Sequence, residues 1–426
     1  MKHFYLLILF LFIAAFSVCA QSGPELIGKL ESLVEHKDYF SLKEEFEVHK
    51  QDVPEIYSHY FSAILKTVFN DPEGSNVQIE KLLKFNVRPL DPNLLKRVYS
   101  IKLQNHIDLC EYSQAERTSR FIVATYSSLL DSTETEDYQN SMKIWTALKD
   151  SPKQELLRKG DFKGQLTRDK MGLFRIETAF PNDTLSFVFD TGANFSVMQR
   201  SVAVRLGMTL LNADFLVTAA TGQKVKSDLA VAPLIEFGGI SLKNAVFLVF
   251  DDEDLSFPQV DYQIEGIIGF PVIKALEEIH ISKEDELFVP RTAAVYENAN
   301  LSLDGLMPIV RVKYRNDWLL FHFDTGATHT ALFPAFYRKY QEEIDRKYSL
   351  EKFSAGSAGG ESEFEGYHLK KLKLGISGSD ANLKNVRLQL NETGLGKQFH
   401  GNLGQDFIKQ FGEMVISFKY SAIRFK

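Results

Sequence analysis

Cysteine is scarce in this chain, and its scarcity limits how the fold can be held together. The 426 residues include two cysteines, Cys19 and Cys110. Cys19 lies in a segment that is expected to be removed, and one remaining thiol cannot form an internal disulfide. The mature protein must therefore be stabilised by burial of its core. Cys110 falls on an apolar helical face, and we interpret it as a buried structural thiol rather than a nucleophile.

The chain also lacks an excess of positive charge and an obvious metal-binding pattern. Its formal net charge is −7 at pH 7, which gives no reason to expect nucleic acid or an anionic membrane as a partner. Neither a His-x-x-x-His pair nor a cluster of His and Asp ligands occurs in the sequence. We therefore expect no metal ion and no other cofactor.

The N-terminus carries an apolar run, Phe4–Phe16, that is short for a membrane span. A lysine precedes the run, and Val18-Cys19-Ala20 follows it in a pattern suited to cleavage after Ala20. Residues 1–20 therefore predict a secretory signal peptide and an exported protein, either periplasmic or secreted. The alternative is a lipoprotein in which Cys19 becomes the lipidated first residue, although the three residues before it match that signal poorly.

Residues 21–155 carry apolar side chains at the spacing of amphipathic helices, with little glycine, and predict an α-helical array. Two predicted helix starts, HKDYFSLKEEF at 36–46 and LCEYSQAERTSR at 109–120, resemble tetratricopeptide-type helical hairpins. The Trp, Gly and Pro signatures of that repeat are missing. The array is either a scaffold without an activity of its own or a surface for a protein partner, and the sequence leaves both open.

A polar and basic stretch, SPKQELLRKGDFKGQLTRDK at 151–170, separates the helical part from the C-terminal part of the chain. Its proline and glycines are typical of a linker, which we place at 156–170. If few contacts cross this stretch, residues 165–426 should fold and act on their own.

Beyond residue 170 the sequence has short apolar runs typical of strands. One motif occurs twice in this region. FVFDTGANFSVM at 187–198 corresponds to FHFDTGATHTAL at 321–332. Further along, IEGIIGFPVIKAL at 264–276 corresponds to FHGNLGQDFIKQF at 399–411, at nearly the same spacing. The matching order of these motifs predicts a duplicated β domain.

The first copy of this domain is expected at 171–295 and the second at 303–426. Asp190 and Asp324 each follow a Phe-x-Phe run, so each carboxyl is predicted at the end of a buried strand. A buried carboxylate is unfavourable unless it is paired or hydrogen-bonded, and the following Gly permits a tight turn that presents N–H groups to it.

A pseudo-twofold axis between the two copies would bring Asp190 and Asp324 face to face. Two carboxyls that lie so close cannot both ionise and share one proton. The pair then supplies one acid and one base, which can activate a water for attack on a carbonyl and protonate the departing group.

The doubled Asp-Thr-Gly-Ala resembles the catalytic motif of aspartic proteases. The Ala after the Gly and the later hydroxyl residues, Ser196 and Thr330, resemble the form of this motif in the retropepsin branch. Ile267-Ile268-Gly269 matches the later hydrophobic-hydrophobic-Gly motif of that superfamily, whereas Asn402-Leu403-Gly404 departs at its first position. The resemblance covers 171–426 and implies a bilobal β-barrel fold with the active site between the lobes. The whole chain is then a multidomain α plus all-β protein.

The resemblance implies that Asp190 and Asp324 are catalytic. It also implies that six residues support the two catalytic loops: Thr191, Gly192, Ser196, Thr325, Gly326 and Thr330. The two threonines would lock the loops through hydroxyl-to-backbone bonds. The Gly-rich stretches around Gly222 and Gly359 would be flaps that close over the substrate.

These features predict an exported aspartic endopeptidase that acts on a peptide or protein substrate, with a monomeric protease region. The alternative is a non-catalytic peptide-binding or scaffold protein that uses the same cleft and the helical array. Intact Asp-Thr-Gly triplets in both copies favour the enzyme. His322 could tune the dyad or be a packed core residue, and His329 and His400 are interpreted as loop residues. The sequence does not define the substrate or whether the helices form a pro-segment, a recruiting arm or a scaffold.

Overall fold

The structure, a computed structural model, describes residues 23–85, 90–158, 160–218, 224–357, 360–391 and 398–426. The predicted signal peptide at 1–20, with Cys19, lies outside the described residues. So do the two predicted flap glycines, Gly222 and Gly359.

The prediction of N-terminal helices followed by a β-rich region is confirmed. The helices are α1 (Gly23–Glu35), α2 (Tyr39–His49), α3 (Glu55–Val68), α4 (Pro72–Leu83), α5 (Pro92–Asp108), α6 (Tyr112–Tyr126) and α7 (Ser132–Leu148). Asp38, Asp71 and Asp131 fix several helix starts, because their side chains accept hydrogen bonds from first-turn N–H groups. No helix in the described ranges combines the length and the apolar character needed to cross a membrane.

The β-rich region begins with β1 (Glu155–Arg158), β2 (Phe162–Gln165) and β3 (Thr167–Arg168). The first copy continues with β4 (Phe174–Ala179), β5 (Thr184–Phe189), β6 (Ser196–Gln199), α8 (Arg200–Arg205), β7 (Leu210–Thr218), β8 (Lys224–Phe237), β9 (Ile240–Phe250), β10 (Ser256–Phe257), β11 (Tyr262–Gln263), β12 (Gly266–Ile268), α9 (Phe270–Ala275), β13 (Glu278–Ser282) and β14 (Glu286–Val289). The second copy contains β15 (Leu301–Asp304), β16 (Met307–Tyr314), β17 (Asp317–Phe323), β18 (Ala331–Leu332), α10 (Pro334–Lys347), β19 (Glu351–Ser357), β20 (Gly360–Ile376), β21 (Ser379–Gln389), β22 (Gly401–Leu403), α11 (Gln405–Ile408), β23 (Glu413–Ser417) and β24 (Ala422–Phe425).

The two copies pair their strands in the same pattern. In the first copy, β12 runs parallel to β5 and antiparallel to β6, and β6 runs parallel to β9. In the second copy, β22 runs parallel to β17 and antiparallel to β18, and β18 runs parallel to β21. Each copy therefore places the loop that follows β5 or β17 beside an equivalent short strand, β12 or β22.

A separate sheet connects the two copies. Its strand order is β2-β14-β13-β23-β24, and the antiparallel pairing of β13 with β23 joins the end of one copy to the end of the other. Backbone pairing in this sheet therefore links the two copies.

The segment at 156–170 is paired into sheets instead of forming the extended linker that its composition predicts. Strand β1 pairs with β9, and β2 pairs with β14. Arg168 forms two hydrogen bonds of 2.6 Å to the carboxylate of Asp285. The polar composition has a physical reason, because edge strands bond through their backbone and leave alternate side chains in solvent.

The helices share a hydrophobic core with the first copy. Ile144 and Trp145 of α7 belong to the same buried cluster as Val197 and Phe215 of the β region. The side chain of Asn140 also bonds to the edge strand β7: its Nδ2 donates to the Leu216 carbonyl at 2.6 Å, and its Oδ1 accepts from the Leu216 N–H at 2.9 Å.

The N-terminal helices also contact the second copy. Phe40 of α2 lies in a buried cluster with Ile309 and Phe399, and Lys37 forms an ion pair of 2.6 Å with Asp304. The helical array therefore packs against both copies, in contrast to the expectation that few contacts connect the two parts. Apolar periodicity predicts which face of a helix is buried, but it does not identify the partner of that face.

Cys110 lies in the turn between α5 and α6 and is half-buried, not on a helical face. Its backbone is left-handed, with φ of 53°, because α5 ends at Asp108 and the chain reverses direction there. The side chain packs against the edge of the core that the helices share with the first copy, which is consistent with a structural thiol.

A buried ion pair joins α5 to α9 and provides a test of this interface. Lys274 Nζ lies 2.5 Å from Asp108 Oδ1, with side-chain exposures of 11% and 3%. Lys274→Met should lower the free energy of unfolding by about 3 kcal/mol, because it leaves an unpaired buried carboxylate. Urea denaturation measures this change. Lys153→Met is the matched control: its partner is Glu111, its side chain is 60% exposed, and the expected loss is below about 1 kcal/mol. Equal losses in the two variants would contradict the buried interface.

Candidate active site

Asp190 and Asp324 stand at equivalent positions directly after β5 and β17. The Phe-x-Phe runs before them are buried, so each strand enters the core and ends at its aspartate. The Asp190 N–H donates to the Ile268 carbonyl at 3.0 Å, and the Asp324 N–H donates to the Leu403 carbonyl at 3.1 Å. Both aspartates are therefore held by the same backbone hydrogen bond to the neighbouring short strand.

The two loops are held together by a reciprocal set of threonine hydrogen bonds. The Thr191 hydroxyl donates to the Phe323 carbonyl at 3.1 Å and accepts from the Thr325 N–H at 3.0 Å. The Thr325 hydroxyl donates to the Phe189 carbonyl at 2.9 Å and accepts from the Thr191 N–H at 3.0 Å. Both threonines are fully buried. Because each hydroxyl bonds to the backbone of the other copy, the two aspartates are positioned by one connected network.

The glycines allow the two loops to approach each other. Gly192 N–H donates to Asp190 Oδ1 at 2.7 Å, and Gly326 N–H donates to Asp324 Oδ1 at 2.8 Å. A Cβ atom on either glycine would fall under 3.0 Å from the carboxyl of the opposite aspartate. Glycine is therefore required here by close packing across the pair.

Burial and the neighbouring negative charge of Asp324 favour a proton on Asp190. Both aspartates are half-buried by exposed area, but protein atoms surround the carboxyl of Asp190 closely. This burial raises the pKa of Asp190 well above its usual range, and the charge of Asp324 and a hydrogen bond between the two carboxyls raise it further. The N–H groups of Gly192 and Gly326 act in the opposite direction. The net result is a pair that holds one proton where an isolated aspartate would be ionised.

Ser196 and Thr330 connect the two Asp-Thr-Gly loops to the glycine that follows the short strand. The Ser196 hydroxyl accepts from the Gly269 N–H at 3.0 Å, and the Thr330 hydroxyl accepts from the Gly404 N–H at 3.2 Å. The structure thus brings together all the predicted loop residues, whereas the two predicted flap positions lie outside the described residues.

Three polar residues of the second copy take part in this site without having been predicted. Asn402 Nδ2 donates to Asp324 Oδ2 at 2.7 Å. Gln405 Nε2 donates to the Thr325 carbonyl at 2.8 Å. The Asp406 carboxylate accepts from the Thr330 hydroxyl at 2.7 Å. An alignment of the two copies could have identified these residues, because the first copy has the apolar Ile267, Phe270 and Pro271 at the same positions.

Two histidines near the second loop, His322 and His400, stay uncharged near neutral pH. His322 is buried, and its burial, followed by the charge of Lys37, lowers its pKa to about 3. Burial likewise lowers the pKa of His400 to about 4, and its Nδ1 accepts a hydrogen bond of 3.2 Å from the Leu320 N–H. His329 is exposed and contacts the Thr328 hydroxyl at 3.0 Å. Within the described ranges, no three His, Cys, Asp or Glu side chains lie together as a metal site would require.

Comparison with known proteins gives one family match. Residues 176–272 match the family model described as aspartyl protease, a segment that includes the first Asp-Thr-Gly loop and Ile267-Ile268-Gly269. No curated protein matches the chain. The family match supports an aspartic protease domain in this chain.

Solved structures with detectable similarity include a retropepsin-like aspartic protease from Rickettsia conorii, at 20% identity and a TM-score of 0.23, over 30% of this chain and 98% of that one. Basic 7S globulin from soybean is 10% identical with a TM-score of 0.37, over 63% of this chain and 94% of that one. Conglutin gamma, a basic 7S globulin from lupine seeds, is 8% identical with a TM-score of 0.38, over 62% and 94%.

Proposed function

We propose that this chain is an exported aspartic endopeptidase that hydrolyses peptide bonds with a water held between Asp190 and Asp324. The observation that carries the proposal is the reciprocal bonding of Thr191 and Thr325, which sets two equivalent carboxyls beside each other. A binding protein would need a cleft but not two matched loops fixed to one another in this way.

The reaction uses one protonated and one ionised carboxyl. The ionised carboxylate takes a proton from the water, and the oxygen of that water bonds to the peptide carbonyl carbon. The protonated carboxyl donates its proton to the carbonyl oxygen, which gives a neutral tetrahedral intermediate. As this intermediate collapses and its C–N bond breaks, the carboxyl that took the water proton donates it to the amine nitrogen. The other carboxylate takes the proton of one hydroxyl of the intermediate, so the pair returns to its single-proton state. No cofactor enters these steps.

The substrate would lie between the two copies, as in a bilobal protease. The hairpins β7–β8 and β19–β20 would extend over it as flaps. The helices would form part of the same rigid protease, because they pack on both copies, and their outer surface would recruit the substrate or another protein.

Cleavage of a mixed peptide library by the purified mature protein tests the proposal. The expected result is new peptide ends that disappear with a pepstatin-type inhibitor and persist with a metal chelator or a serine-protease inhibitor. An absence of cleavage under all conditions, with saturable binding of peptides, would instead support a peptide-binding protein.

The pH dependence of the reaction is set by the hydrogen bonds of the dyad. Ala193 and Ala327 stand where pepsin-like motifs carry a hydroxyl, so one hydrogen bond that favours the ionised carboxylate is missing. The acidic limb of the pH–rate profile should therefore lie at higher pH than in a gastric enzyme. The raised pKa of Asp190 keeps its proton in place as the pH rises, which extends the alkaline limb. We expect a bell-shaped profile with a mildly acidic optimum, and a maximum below about pH 3 would contradict this reasoning.

A further inference from the structure

The two copies differ in chemistry at one pair of neighbouring positions beside the dyad. In the first copy, Val188 of β5 is the register partner of Ile267 on β12. In the second copy, His322 of β17 is the register partner of Asn402 on β22. An apolar pair in one copy is thus a polar pair in the other, at the strands that carry the two catalytic loops.

Asn402 gives Asp324 a donor that Asp190 does not have. Its Nδ2 lies 2.7 Å from Asp324 Oδ2, and the N–H groups of Gly326 and Ala327 lie 2.8 and 3.0 Å from Asp324 Oδ1. Both oxygens of Asp324 are therefore held by donors. Ile267, the counterpart of Asn402, has no polar atom in its side chain to offer Asp190.

The amide orientation of Asn402 is determined by this contact. The nitrogen must face Asp324, because the reverse orientation would set the amide oxygen against a carboxylate oxygen. Asn402 Oδ1 is left buried and, within the described chain, without a hydrogen-bond partner, as are both ring nitrogens of His322. Burying these polar atoms is unfavourable, so this pair carries a cost to stability next to the two carboxyls.

We propose that Asn402 is a positioning residue that makes the dyad asymmetric, by holding Asp324 as the ionised base and leaving Asp190 to carry the proton. This inference rests on the proposed peptidase function. A donor N–H favours the charged form of a carboxyl, and the donors on Asp324 also fix the direction of its lone pairs toward the water. The other titratable groups described around this site include Asp190 across the pair, His322 on β17, His400 just before β22, Asp406 beside Thr330, and Lys37, whose charge acts on His322.

Three variants distinguish the effect of the Asn402 hydrogen bond from the effect of packing around it. Asn402→Ile installs the residue of the first copy and removes the donor. Asn402→Asp keeps the size of the side chain but places a second carboxyl against Asp324. His322→Val, also the residue of the first copy, changes the same buried layer without touching Asp324, and is the control. Circular dichroism and thermal unfolding confirm that each variant is folded.

Turnover gives the first readout. Asn402→Ile should lower kcat roughly tenfold with little change in KM, and should move the acidic limb of the pH–rate profile upward by about one unit. Asn402→Asp should move that limb in the same direction. His322→Val should leave it in place. An unchanged acidic limb in Asn402→Ile, in an enzyme whose wild type cleaves peptides, would overturn the assignment while leaving the proposed function intact.

A second readout does not require turnover. Nuclear magnetic resonance of protein labelled with ¹³C at the aspartate carboxyls monitors the dyad directly, with signals assigned through Asp190→Asn and Asp324→Asn. The lower of the two titration steps of the pair should be carried by Asp324 in the wild type, and it should move upward in Asn402→Ile. If the wild type cleaves nothing but shows this pattern, the proposed function fails and the asymmetry stands. A lower step carried by Asp190, or a step that does not move in the variant, would overturn the asymmetry.

Discussion

Residues 165–426 expressed without the helices are expected to aggregate instead of forming a soluble monomer. The truncation removes β1, which pairs with β9, and exposes the face of the first copy that α7 covers. Phe215 is 1% and Val225 5% exposed in the full chain, and both belong to the cluster completed by Trp145. Uncovering several large apolar side chains costs about 1.5–3 kcal/mol for each one, which is of the order of the whole stability of a domain.

Size-exclusion chromatography and thermal unfolding of residues 165–426 and of residues 21–426 measure this effect. A matched control is the longer protein, residues 21–426, with Asn140→Ala, which removes the bonds to Leu216 and leaves the apolar contact in place. This variant should stay soluble and lose about 1–2 kcal/mol. A truncated protein that is monomeric, folded and as active as residues 21–426 would show that the helices are dispensable.

Much of the active-site geometry is local and could be predicted from the sequence. The Phe-x-Phe alternation places Asp190 and Asp324 at strand ends, and the short spacing to Gly192 and Gly326 fixes the turn after each strand. The repetition of the motif indicates two equivalent loops. Each of these steps depends on residues within a few positions of one another, for which strand periodicity and turn chemistry are informative.

The contacts that depend on distant parts of the chain could not be predicted. The polar stretch at 156–170 pairs with strands more than eighty positions away, and backbone pairing at an edge leaves little mark on composition. The apolar face of α7 has the same pattern whether it packs on another helix or on the first copy. Asn402 was visible only as a departure from a motif, and a departure alone does not show that the side chain reaches Asp324.

Asparagine at either Asp190 or Asp324 is expected to reduce kcat/KM by roughly 10³-fold or more. The amide is nearly isosteric with the carboxyl but can neither accept the proton of the water nor release one to the carbonyl oxygen. A pair with one carboxyl cannot supply both acid and base. The fold should be retained, because the Thr191 and Thr325 hydrogen bonds use hydroxyl and backbone atoms that the substitution does not alter.

The measurement that tests the central claim most directly compares three proteins on one peptide library. Wild type, Asp190→Asn and Asp324→Asn are purified in parallel as residues 21–426, shown to be folded by their thermal unfolding, and incubated at equal concentration across a range of pH. New peptide ends are counted by mass spectrometry. The account predicts cleavage by the wild type in mildly acidic solution and almost none by either variant. Undiminished cleavage by one variant would show that the two aspartates do not act as a pair and would contradict the account.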